Sequence, residues 1–108
     1  MTSITVHKQG DKYLGFVCNG HAGYAEFSKD IVCASISVLV INTINSIEKF
    51  TNAEADIEAH DCTGYISCSF KKPVGGDAAL LINSMTLGLM QIKEQYGTKY
   101  IDVKIKEV

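Results

Sequence analysis

Arginine is missing from this chain of 108 residues, whose ten basic side chains are all lysines. Arginine supplies the bidentate contacts to phosphate and base edges on which nucleic-acid recognition relies, and the net charge here is −2. Direct nucleic-acid binding is therefore not expected, although Lys71, Lys72 and the lysines near the C-terminus make a local basic patch. Proline occurs once and no low-complexity tract is present, so nothing in the composition marks a linker or a disordered segment. The N-terminus lacks a charged stretch followed by an apolar one, so no secretory signal is expected and the chain is read as cytoplasmic. The longest apolar run, Ile31 to Ile41, is interrupted by Ser35 and Ser37 and is short for a bilayer span, so no membrane association is expected. A Cys-x-x-Cys pair is absent too, which argues against thiol-redox exchange and against a structural zinc site.

What is present suffices for one core. Apolar residues make up 46% of the chain, and the length fits a single domain spanning residues 1–108. Four cysteines in a chain that is neither loop-rich nor secretory read as free thiols.

Hydrophobic periodicity orders the elements. Ile4 and Val6 alternate with polar neighbours, a turn follows at residues 9–12, and Tyr13 to Cys18 completes a β-hairpin. A loop is expected from Asn19 to about Lys29. Residues 31–50 are rich in β-branched side chains, yet about twenty residues without glycine or proline is too long for an ordinary strand. On a helix, Val32, Ile36, Leu39, Thr43, Ile47 and Phe50 form one stripe, opposite Ser35, Asn42, Ser46 and Lys49. Ala55 to His60 and Tyr65 to Phe70 alternate as a second hairpin around a turn at residues 61–64. Pro73, Gly75 and Gly76 break the pattern, Asp77 is a suitable N-cap for a second helix, and Gly97 is placed to end it. Ala78, Leu81, Met85, Leu89, Ile92 and Tyr96 form its core face, and Ile101, Val103 and Ile105 make a last strand. The order ββαββαβ predicts an α+β two-layer sandwich with two helices packed on a β-sheet; strand order is not determined. Leu80, Leu87 and Met90 add a second apolar stripe to the second helix, so a homodimer is expected there.

One segment carries chemistry. His21 stands in the loop between Gly20 and Gly23, and Cys33 lies twelve residues later at the start of the long apolar helix. Asp30 is a natural N-cap, which places Cys33 in the first helical turn, where open N–H groups and the helix dipole favour a thiolate. A nearby His21 imidazole supplies a general base, and the same N–H groups suit an oxyanion. On residue types alone, a cysteine in an apolar run is as readily a small buried hydrophobe, and a loop histidine a surface residue. Cys18 and Cys68 fall at inward strand positions and read as core, Cys62 sits in a turn, and His7 points outward. A metal set of His21, Cys33, His60 and Cys62 has poor spacing for zinc, so neither metal nor cofactor is expected.

Gly20-His21-Ala22, followed by a short loop and Asp30-Ile31-Val32-Cys33-Ala34 with Ser37 beyond, resembles the signature of the ribosomal-processing cysteine protease family Prp. The resemblance extends to chain length and element order. It implies an endopeptidase that removes the N-terminal extension of ribosomal protein bL27 after an aromatic residue. Cys33 is then the nucleophile, His21 the general base, and Asp30 a helix cap and candidate orienter of His21. It also implies a dimer with a mobile loop at about residues 23–29. Relatives carry glycine where this chain has Ser28, so altered loop closure is expected. The acidic Glu26 and Asp30 suit a basic ribosomal-protein tail. The competing reading is a non-enzymatic ribosome-associated binding module.

Overall fold

The computed structural model describes residues 2–20, 27–60 and 64–108, with side chains in the first helix from residue 31 onward. Two strands, β1 (Thr2–Gln9) and β2 (Lys12–Asn19), precede a helix, α1 (Phe27–Phe50). A second hairpin, β3 (Ala55–His60) and β4 (Tyr65–Val74), leads to α2 (Gly76–Tyr96) and to β5 (Ile101–Glu107). The ββαββαβ order and the α+β class are as the periodicity requires.

The five strands form one sheet in the order β3-β4-β2-β1-β5, antiparallel throughout except that β1 and β5 run parallel. Two long crossovers generate this order. The β2-α1-β3 connection steps over β4, and the β4-α2-β5 connection steps over β2 and β1 in the opposite direction. The two crossovers start from strands of opposite sense, so the usual right-handed connection places both helices on the same face. That face collects Ile4, Val6, Phe16, Cys18, Cys68, Phe70, Ile101 and Val103, all buried. The helices close it with Val32, Ile36, Val40, Ile44 and Ile47 from α1 and with Ile82, Met85 and Leu89 from α2. His7 and the strand residues alternating with the buried set look out from the other face.

Two glycines set close approaches. Gly15 lies at a β-bulge in β2, where a Cβ would stand 2.2 Å from the Cys68 carbonyl oxygen, so no other residue fits without moving backbone. Gly88 lets α2 meet α1, for a Cβ there would come within 2.6 Å of the Leu39 side chain. The Tyr13 hydroxyl donates to Asn83 Oδ1, tying β2 to α2.

Several boundaries differ from expectation. α1 begins at Phe27, so Asp30 is not its N-cap but lies within its first turn. The reason is that Phe27, Ser28 and Lys29 impose no break, and the helix runs back through them toward the loop. Ser28 is thereby helical, a backbone conformation with no glycine-like requirement. β4 continues through Pro73, and α2 is capped by Gly75 without a side-chain hydrogen bond, leaving Asp77 in the first turn, where its charge suits the dipole. Gly97 does end α2, its N–H donating to the Lys93 carbonyl at 2.8 Å. Phe50, placed in the core stripe of α1 by periodicity, is 69% exposed because the helix end overhangs the sheet. Residues 31–50 are in fact long and apolar enough, at a mean hydropathy of 1.6, to cross a membrane; Val32, Ile36, Val40, Ile44 and Ile47 of that stretch supply the α1 half of the core, while Ile31, Val38, Ile41 and Phe50 are exposed.

Candidate active site

The described chemistry gathers at one end of the sheet, where β1 and β5 begin, β2 ends and α1 starts. Cys33 is the seventh residue of α1, in its second turn, and is half-buried. Its Sγ lies 3.9 Å from the hydroxyl of Thr2, the first residue of β1. Thr2 is itself buried, and its N–H donates to the Tyr100 carbonyl at 2.9 Å, so the hydroxyl beside the thiol is held by the β1-β5 junction. Gly20, directly preceding His21 in the chain, packs on the same threonine. A Cβ at Gly20 would lie 3.3 Å from Thr2 Oγ1 and from the Gly64 carbonyl, to which the Gly20 N–H donates at 3.1 Å. Thr2 is a link that sequence reasoning missed, since nothing local distinguishes it from any strand-opening threonine.

His21, Gly23, Glu26 and Cys62 lie outside the described residues. The structure therefore brings together Cys33, Thr2 and the residue before His21, while Asp30 is placed by its backbone alone, three residues before Cys33 in α1.

The other described cysteines are chemically different. Burial, with the neighbouring Cys33 as the second cause, pushes the Cys18 thiol up to about 11. Burial again, with the Glu48 carboxylate second, pushes Cys68 up to about 12. Both are core residues that stay protonated at neutral pH. His60, offered as a metal ligand by sequence, instead sits 3.3 Å from Glu58 Oε2 on exposed β3 and faces the Tyr65 ring. Among the described residues no group of three histidine, cysteine or acidic side chains stands close enough to hold a metal ion.

A groove of about 350 Å³ runs from this end of the sheet between α1 and the β3-β4 hairpin. Ser37, one helical turn beyond Cys33, opens it together with Gly64 and Tyr65; Ile41, Ile44, Ile57 and Ile66 make its walls, and Asn45 and Glu48 line it farther along α1. Sequence reasoning left the substrate-contacting residues unassigned, because the groove joins segments from opposite sides of a long crossover.

A half-buried thiol near the start of a helix, one turn from an open apolar groove, is the placement a cysteine nucleophile acting on a peptide needs, and the family of the chain makes it a cysteine protease. The family model described as cysteine protease Prp matches residues 1–102, and the chain belongs to that family. It is 31% identical over 94 residues to the ribosomal processing cysteine protease Prp of Staphylococcus aureus, covering 87% of this chain and 88% of that one. It is 29% identical over 101 residues to the Bacillus subtilis protein of the same name, covering 89% and 90%. The solved S. aureus Prp with a substrate peptide superposes with a TM-score of 0.88 at 25% identity, over 98% of this chain and all of the other. The form with a covalently linked product peptide gives 0.85 at 26% identity with the same coverage. SMU.848 of Streptococcus mutans shares the fold, with a TM-score of 0.89 at 23% identity, covering 100% of this chain and 96% of that one. These likenesses set aside the non-enzymatic binding module.

Proposed function

We propose that this cysteine protease removes the N-terminal extension of ribosomal protein bL27 in the cytoplasm, through a dyad of Cys33 and His21. The observation that carries the reading is the Cys33 sulfur, half-buried beside Thr2, with the residue before His21 packed on the same threonine. The relatives named as ribosomal processing proteases, one of them solved with a peptide covalently linked, support the substrate class.

In this mechanism His21 takes the Cys33 proton, and the thiolate attacks the scissile carbonyl. Helical side chains lean toward the N-terminus, so Cys33 reaches back over the first turn of α1, whose leading N–H groups have no intrahelical acceptor. Those groups are the donors for the oxyanion. His21 then protonates the leaving amine, and water, deprotonated by His21, hydrolyses the thioester. Asp30, in that first turn, takes the part of orienting the His21 ring. Because Cys33 lies in the second turn, the helix dipole contributes less to its activation than a first-turn position would, and the imidazole carries more.

The exposed α2 side chains Leu80 (65%) and Leu87 (61%), with Met90 beside them, support a homodimer through that stripe. A dimeric mass by light scattering at micromolar concentration is expected, and a monomeric one overturns the pairing.

Incubation with a bL27 N-terminal-extension peptide is expected to yield one cut by mass spectrometry, abolished in Cys33→Ala and His21→Ala. Full activity in either variant overturns the dyad.

A further inference from the structure

The groove beside Cys33 is apolar along its walls yet has one acidic side chain lining it. Glu48 is exposed, makes no ion pair among the described residues, and shares the groove with no lysine; the one imidazole lining the groove, His60, pairs in register with Tyr65 at the Ser37 end. The α1 residues lining the groove, Ser37, Ile41, Asn45 and Glu48, recur at spacings of four, four and three, and therefore make one continuous flank; Cys33 lies four residues before Ser37 on that flank.

We infer that Glu48 is a specificity-determining residue that recognises a lysine or arginine of the substrate peptide lying extended in this groove. The inference rests on the protease reading and adds a charge requirement remote from the cut. Fifteen residues of helix separate Cys33 from Glu48, roughly 22 Å at 1.5 Å per residue. An extended peptide advances about 3.3 Å per residue, so the basic side chain sits roughly six or seven residues from the scissile bond. The intervening residues meet Ile41, Ile44, Ile57 and Ile66, which take apolar side chains. A neutral peptide leaves Glu48 solvated and gains nothing from it, whereas an acidic one is repelled.

The test separates binding from cutting. Fluorescein-labelled bL27-extension peptides, with lysine, glutamine or glutamate placed in turn five to eight residues from the cut on either side, are titrated onto the full Cys33→Ala chain by fluorescence polarisation. At one position lysine should bind about fivefold more tightly than glutamine, the scale of a partly exposed ion pair. Glu48→Gln should erase that preference, and Glu48→Lys should invert it in favour of glutamate. With Cys33 intact, the same preference should appear in KM with kcat unchanged. A lysine preference that survives Glu48→Lys, or no preference at any position, overturns the inference. So does a Glu48→Lys chain that changes oligomeric mass but not peptide preference, because a second copy then covers the groove. Charge-dependent binding without cleavage by the intact chain would sustain the groove assignment and sink the bL27-processing reading alone.

Discussion

On the flank of α1 that faces the sheet, Val32, Ile36, Val40 and Ile47 are sealed from water, whereas Ser37, Ile41, Asn45 and Glu48 on the groove flank all remain exposed. The two flanks belong to one uninterrupted helix and differ in residue type, the first wholly apolar and the second holding Ile41 among Ser37, Asn45 and Glu48. The neighbour differs too: the first flank lies over β1, β2 and β4, while the second overhangs β3, an edge strand whose side chains are nearly all exposed. The cysteines divide in the same way. Cys68 and Cys18 are sealed between the sheet and the helices, and Cys33 is left half-open at the sheet's end. A face that is fully covered can only stabilise, and one left partly uncovered can bind.

The sharpest way to break this contrast is at the thiols. Cys33→Ala should lower kcat/KM for the bL27-extension peptide by at least about a thousandfold, as loss of a nucleophile does, while Cys68→Ala should leave it within about threefold. Equal losses in a continuous cleavage assay would erase the distinction. Next in size are backbone and core. Gly15→Ala should cost about 3 kcal/mol or more, because its Cβ meets backbone rather than a movable side chain. Ile36→Ala should likewise cost about 3 kcal/mol, against less than about 1 kcal/mol for Ile41→Ala, both read from urea denaturation. Similar costs for the two isoleucines would mean that the groove flank is not open in solution.

The buried thiols also impose a pH dependence. Cys18 and Cys68 ionise at about 11 and about 12 in the folded chain against 9.0 when free. Below pH 9 both states keep the protons and neither thiol changes stability. Above it the unfolded chain loses protons that the folded chain retains, so stability falls, by roughly 1.4 kcal/mol per pH unit for each thiol, until the folded values are reached. Urea midpoints from pH 8 to 10.5 should show this decline, with a shallower slope in Cys68→Ala; an unchanged slope would place Cys68 in a wetter site than its burial indicates.

Much of the fold was legible because its signals are local. Period-two alternation marks Ile4-Val6 and Ile66-Cys68-Phe70, and length separates α1 from a strand. Helix starts were read less well, since Asp30 and Asp77 are good caps by type but the chain coils earlier, at Phe27 and Gly76. Phe50 was misplaced because periodicity does not say where the sheet beneath a helix ends. At the candidate site, the motif residues were visible but their surroundings were not.

The sequence by itself determined the seven elements and their types, the single core, and the family to which the His21-to-Cys33 motif belongs, since each depends on residues close together in the chain. Only the tertiary structure decided the strand order, the placing of Thr2 and Gly20 beside Cys33, and the groove that ends at Glu48. Thr2 and Cys33 are 31 residues apart, and the groove joins α1 to β3 and β4. Such meetings arise when two crossovers close over one face of a sheet, and no spacing within a segment encodes them.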